Sequence, residues 1–270
     1  MNENNQLSQS LTVCKYELLL HFRKKKIFAL IGIAVGVSIL FMVMLDVFVT
    51  SPIPTTNIIL TMPLSFAPFL IILLASLLGS DSIVSEFKNK TGNTLFSNPV
   101  SRTSIWLGKF LSAEVIAIGI VFLYYMIIIG YAAIHSNEIG QEVFLSLSFS
   151  FLSVTMIMSI AFLISSAFRG PTGATVLVFF LFIMILPMIE QVLGNIAEIR
   201  PWFIPTFANG IIQNSLTVPY PTESANIFMF EQFGTFKFIP EISQSVLVMI
   251  AYTLAASVSS ILIFRRREMK

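Results

Sequence analysis

The stretch KKKIFALIGIAVGVSILFMVMLDVFV, residues 24–49, carries three lysines and then no charge until Asp46. A helix crossing the hydrocarbon core of a bilayer needs about 20 apolar residues, and Ile27–Val49 supplies them. Inside lipid each backbone N–H and C=O must find its partner within the segment, which selects a helix. The alternating pattern of a membrane barrel strand is absent. Working outward, five further segments have the same character: about Ile58–Ser80, Phe110–Ile134, Phe144–Phe168, Thr175–Leu193 and Ser245–Phe264. The expected fold class is therefore an all-α membrane protein of six transmembrane helices. Residues 1–270 read as a single transmembrane domain without an internal repeat.

Composition leads to the same place. The chain is 56% hydrophobic and 11% charged, with a mean hydropathy of +0.86, whereas a soluble domain carries roughly 25% charged residues. The single cysteine, Cys14, excludes an intrachain disulfide and a cysteine-based metal cluster. The first ten residues are polar, and the apolar run after the basic cluster is too long for a signal-peptide core. It is expected to remain as an anchor.

Orientation follows from lysine and arginine. Fourteen of the sixteen fall on one side: Lys15, Arg23, Lys24, Lys25 and Lys26, then Lys88, Lys90, Arg102 and Lys109, then Arg169, and finally Arg265, Arg266, Arg267 and Lys270. Only Arg200 and Lys237 fall on the other. The positive-inside rule makes the basic side cytoplasmic, which places both termini there in a multi-pass protein of the cell (plasma) membrane. Glu138, Glu142, Glu198, Glu223, Glu231 and Glu241 then decorate external loops. The longest of these, 194–244, holds Pro201, Pro205, Pro219, Pro221 and Pro240 among aromatic residues such as Trp202, Phe203 and Phe207. It reads either as an extracytoplasmic cap with short helices dipping into the interface or as an ordered loop on the membrane surface.

Two cytoplasmic elements stand out. In residues 8–25, Leu11, Cys14, Leu18, Leu19 and Phe22 recur at helical spacing ahead of Lys24, Lys25 and Lys26. This predicts an interfacial helix leading into the first span. In residues 81–109 the first part reads as a helix, with Ile83 and Phe87 apolar and Glu86, Lys88 and Lys90 polar. Gly92 is placed to end it, Leu95 and Phe96 form an apolar knob, and Pro99 forces an extended turn. Ser101 offers an N-cap for the helix that becomes the third span. A short projecting helix with an apolar tip suits docking in a groove of a cytoplasmic partner.

The run Glu86-x4-Thr91-Gly92-x2-Leu95-x3-Pro99-Val100-Ser101-Arg102-x5-Gly108-Lys109 resembles the membrane subunit of type-2 ABC transporters. The six-span layout, the N-terminal helix and the basic C-terminus extend the likeness over nearly the whole chain. Size and loop are similar to those of nitrous-oxide-reductase maturation permeases, which leaves the substrate open. Phe96-Ser97-Asn98 departs from the more aliphatic stretch expected before the proline. The resemblance implies a permease subunit of an ATP-driven transporter, forming the translocation path as a homo- or heterodimer with a second permease subunit. A separate cytoplasmic ABC ATPase would dock on the loop, which makes 81–109 a cytoplasmic coupling loop. The ATPase-coupling residues it implies are Glu86, Phe87, Lys88, Thr91, Leu95, Phe96, Pro99 and Arg102. Glu86 and Lys88 would make polar contacts to the ATPase, and Phe87, Leu95 and Phe96 would bury apolar area. Arg102 and Lys109 would lie at the lipid headgroups or cap the loop. The second and fifth spans would line a path suited to an amphipathic or hydrophobic cargo.

The chain has no Gly-x4-Gly-Lys-[Ser/Thr] cradle: Thr103 stands where the first glycine is needed and Phe110 follows Lys109. No cofactor is expected in this chain, with ATP and Mg²⁺ on the partner subunit, and no nucleic-acid partner is implied. Catalytic and metal sites are not expected either, since His21 and His135 fall on opposite sides of the membrane. Asp46, Glu114 and Glu190 lie within spans, where an ionisable group is a functional candidate. They read as hydrated structural carboxylates near the interfaces rather than a proton path. Gly32-x3-Gly36 reads as helix packing within the subunit in preference to a dimer seam, and Pro68, Pro171 and Pro187 as kinks. The alternative function is a secondary transporter or a non-transporting membrane scaffold. Secondary transporters usually carry broken helices and charges at mid-depth, and no clear set of these is visible.

Overall fold

A computed structural model describes residues 3–48, 56–88, 101–135, 140–168, 170–221 and 238–266. Its helices include six long and apolar enough to cross a membrane: Lys25–Val47, Ile59–Val84, Arg102–His135, Glu142–Ala167, Pro171–Gly194 and Ile242–Arg266. All six predicted spans are present. The third is longer than expected at its start, because Ser101 caps it: the Ser104 amide donates to Ser101 Oγ at 3.1 Å. The helix thus begins at Arg102, and Glu114 lies about three turns inside it.

The second, third and fourth spans form the centre of the bundle. Tyr124 and Tyr125 of the third are fully enclosed, and each hydroxyl finds a partner, as buried hydroxyls must. Tyr124 donates to the Pro63 carbonyl at 2.5 Å, and Tyr125 bonds Ser146 and Ser150 of the fourth span at 2.9 and 2.7 Å. Trp106 stacks on Phe110 at 5.1 Å, meets Phe162 edge-on, and donates Nε1–H to Ser260 Oγ of the sixth span at 2.8 Å. The first, fifth and sixth spans lie at the periphery, with only 22%, 17% and 22% of their most apolar windows enclosed.

The expected kinks have specific forms. Pro68 stands at the start of Ala67–Leu74, after the Thr56–Leu64 helix of the second span has ended. Pro171 opens the fifth span. Pro187 follows a π-helical turn over Leu181–Ile185, where the helix widens just before a residue that offers no amide hydrogen. A second π turn, Ala75–Gly79, interrupts the second span. There a Cβ on Gly79 would lie 2.7 Å from Met158 Sδ and 2.9 Å from Ala161 Cβ of the fourth span.

Gly32 and Gly36 correct the expectation of packing within the subunit: a Cβ on either meets nothing within 4 Å. That face of the first span turns outward. The segment after the fifth span forms short helices, Pro205–Asn209 and Ile211–Asn214, whose Ile204, Phe207, Ala208, Ile211 and Ile212 are buried. They seat against the fourth and sixth spans, and Ser153 donates to Asn209 Oδ1 at 2.8 Å. Arg200 pairs with Glu241 at 2.7 Å across this segment. The described part of 194–244 thus contains short helices; residues 222–237 lie outside the described residues.

The N-terminal helix Glu3–Arg23 packs along the start of the third span. Gly108 makes this possible, because a Cβ there would lie 2.6 Å from Val13 Cβ and 2.8 Å from the Ser10 carbonyl oxygen. Overpacking of this kind costs about 1–3 kcal/mol. Gly108→Ala should lower detergent-solubilised stability by that order, and Val13→Ala in the same chain should recover part of it. Equal melting temperatures for wild type and Gly108→Ala would show that the crossing is looser than these distances require.

Candidate functional site

The basic end of the bundle holds those of the candidate coupling residues that fall within the described segments. The helix Ser80–Lys88 continues the second span beyond its π turn. Among the candidate coupling residues, Glu86, Phe87 and Lys88 lie on this helix, but their side chains are outside the described residues, as are Thr91, Leu95, Phe96 and Pro99. What the structure shows is how that helix is anchored. The Ile83 and Val84 amides both donate to Ser165 Oγ of the fourth span at 3.2 Å. Ser80 Oγ shares a hydrogen with Thr175 Oγ1 of the fifth span at 2.7 Å. At its start, Lys26 of the first span reaches Asp81 Oδ2 at 3.5 Å and donates to the Leu77 carbonyl. Three spans therefore hold the base of the helix.

Arg102 reaches the end of the sixth span. Its Nη1 donates to the Arg265 carbonyl at 2.9 Å, a bond to the C-terminal end of the sixth-span helix, where carbonyls lack intrahelical donors. Lys109 departs from the expectation of a headgroup lysine. It is 4% exposed and bonds Glu17 Oε1 of the N-terminal helix at 2.5 Å. The Gly-Lys pair thus has a structural account: Gly108 lets the N-terminal helix approach, and Lys109 supplies the charge that holds it.

The N-terminal helix is present, and the face it turns toward protein is largely polar. Ser10, Cys14 and His21 are buried, while Leu11, Leu19 and Phe22 are more than half exposed. The helix turns its polar stripe, including Glu17, toward protein and leaves Leu7, Leu11, Leu19 and Phe22 outward. The ion pair fits this rotation, since turning Glu17 outward would leave the buried Lys109 ammonium without its counter-charge. Glu17 and His21 were missed as site residues. The available signal was the polar series Ser10, Cys14, Glu17, His21 at helical spacing within an otherwise basic leader.

Burial, then Lys24, Lys109 and Lys26, hold the His21 imidazole down from about 6.5 to about 4, against an opposing pull from Glu17. Burial also raises the Cys14 thiol, with Glu17 adding to the effect. A cavity of about 70 Å³ lies among these groups, lined by Glu17, His21, Lys24, Lys26, Asp81 and Lys109.

The carboxylates within spans divide. Asp46 is exposed and accepts a hydrogen bond from Tyr131, with His135 Nε2 at 3.8 Å. Glu114 and Glu190 are enclosed by protein, each 7% exposed, which corrects their reading as hydrated groups. Thr155 donates to Glu114 at 2.6 Å and Thr206 to Glu190 at 2.9 Å. Each lies beside a neighbouring element that burial of the helix face brings in, and this the spacing along the chain does not reveal.

A family model described as ABC-2 family transporter protein matches residues 5–269, from the N-terminal helix to the end of the sixth span. No curated protein matches the chain.

Removing one member of a buried pair leaves the other charge without compensation and costs about 3–5 kcal/mol. Glu17→Gln should therefore destabilise the protein by that order, while Glu17→Met with Lys109→Met should fall closer to wild type. Thermal unfolding followed by tryptophan fluorescence reads both; a Glu17→Gln protein as stable as wild type would remove the pair from its structural role. The His21 shift has a defined sign. Its folded value lies below the unfolded one, so the unfolded chain binds more protons between pH 6.5 and about 4. Stability should fall as pH is lowered through that window, and His21→Gln should flatten the fall.

Proposed function

The chain belongs to the ABC-2 family of transporter proteins, and on that premise we propose that it is a permease subunit driven by a separate cytoplasmic ATPase. The observation that carries this reading is the anchoring of the helix Ser80–Lys88 to the fourth and fifth spans through Ser165 and Thr175. A push on the loop that follows would reach three spans without passing through a flexible joint. Nucleotide and Mg²⁺ belong to the partner, whose closure supplies that push. The basic end, with both termini, faces the cytoplasm in this reading, in keeping with the bias of lysine and arginine.

Two permease subunits would complete the translocation path. The fifth span packs on the second, the fourth and the short helix Pro205–Asn209, yet only 17% of its most apolar stretch is enclosed, and the Gly32–Gly36 face of the first span is unoccupied among the described residues. Both are surfaces that a second permease subunit, identical or not, would cover. The second and fifth spans remain the proposed lining. Their described side chains favour an amphipathic or hydrophobic cargo, and within the family the loop and size favour the branch that includes the nitrous-oxide-reductase maturation permeases. A secondary transporter would need no ATPase, so the partner discriminates the two readings.

The test is purification of tagged protein from mild detergent, with mass spectrometry and an ATPase assay on the eluate. A small nucleotide-binding subunit should co-purify, and Phe87→Asp or Leu95→Asp should uncouple its hydrolysis from transport while the permease stays inserted. Transport unaltered in both variants would refute the coupling assignment, and recovery of the chain alone without ATPase activity would favour the secondary transporter or scaffold.

A further inference from the structure

The cavity at the elbow between the N-terminal helix and the first span has a charge balance that the coupling reading does not use. Three ammonium groups line it, Lys24, Lys26 and Lys109, against two carboxylates, Glu17 and Asp81. Each carboxylate is already engaged: Glu17 by Lys109 at 2.5 Å and Asp81 by Lys26 at 3.5 Å. Lys24 forms no ion pair among the described residues, which leaves one positive charge over. The imidazole of His21 stays neutral beside these ammoniums, pressed down by burial and by all three lysines, so the surplus is positive and not shared with a titrating base.

The volume is about 70 Å³, several times the roughly 10–15 Å³ that one water needs on the same measure. Ser82 and the imidazole of His21 add polar groups to the wall. The cavity also lies at a boundary. Leu20 forms part of its rim, and Leu20, Phe22 and Phe28 are exposed apolar side chains at the same elbow. Basic pockets between helix ends at the cytoplasmic interface are suited to phosphate-bearing headgroups, because ammonium donors meet the phosphate while the acyl chains stay on apolar surface.

We propose that the elbow cavity lined by Lys24, Lys26 and Lys109 binds a singly charged phosphate group, with Lys24 as the neutralising ammonium. Two sources share that chemistry: the phosphodiester of an anionic phospholipid and free inorganic phosphate. The apolar rim favours the lipid. Lys26 and Lys109 keep their carboxylate partners on binding, and Lys24 contributes the contact that changes. The proposal does not depend on what the protein transports.

Lys24 and Lys25 are adjacent, exposed and equally charged, but only Lys24 lines the cavity. The experiment compares Lys24→Gln with Lys25→Gln in the full-length protein, purified in neutral detergent. Native mass spectrometry with added phosphatidylglycerol or phosphatidylcholine reads lipid retention, and thermal unfolding with added inorganic phosphate reads the free ion. The expected result is retention of one phosphatidylglycerol in preference to phosphatidylcholine. Lys24→Gln should weaken it about fivefold, the scale of one lost ammonium–phosphate contact, and Lys25→Gln less than about twofold. Stabilisation by inorganic phosphate with the same dependence on Lys24, without lipid retention, would assign the site to the free ion. Equal losses in the two variants would show only general surface attraction and overturn the proposal, as would binding of neither phosphate source.

Discussion

A buried ion pair across two helices in a membrane protein is demanding. Both charges must leave water, and the cost is recovered only if they meet at close range and the helices can approach. The Glu17–Lys109 pair satisfies both conditions through its neighbour. Gly108 removes the side chain that would hold Val13 and the Ser10 carbonyl away, and Lys109 then meets Glu17 at 2.5 Å. Everything at the basic end is arranged around that crossing. It sets the rotation of the N-terminal helix, brings His21 and Lys24 against the second span, and encloses the cavity between them.

The second constraint is the continuity of the second span into the helix Ser80–Lys88. A π turn at Ala75–Gly79 and the lack of a side chain at Gly79 let that span sit close against Met158 and Ala161 of the fourth. Just beyond, Ser165 receives two backbone amides, and Thr175 bonds Ser80. The two amide bonds to Ser165 are buried, where water is scarce, so breaking them leaves amides unsatisfied. A helix held in this way moves with the spans that hold it. The same region joins the third span to the sixth through Trp106 and Ser260 and through Arg102 and the Arg265 carbonyl.

Much of this was legible in the chain alone. The six spans follow from uninterrupted apolar length, and their existence does not depend on how they pack. The cap at Ser101 follows from residue type and position, and the structure shows its hydrogen bond to the Ser104 amide. The polar partners were less legible. Lys109 looked like a headgroup lysine because its sequence neighbours say nothing of Glu17, ninety-two residues away. Glu114 and Glu190 looked hydrated because their depth was judged along one helix, while Thr155 and Thr206 come from others.

The sequence by itself determined that this protein is a six-helix membrane protein, with lysine and arginine gathered on one side of its spans and a motif that aligns it with a transporter family. Those properties depend on length, composition and local order, which burial in lipid reads directly. Only the tertiary structure decided which face of each helix is turned inward. The apolar face of a membrane helix can lie against lipid or protein at similar cost, so hydrophobicity does not choose between them. Glycines and buried polar pairs choose instead. Gly79 and Gly108 mark close approach while Gly32 and Gly36 face outward, and that difference arises from the neighbouring helix rather than from the glycine.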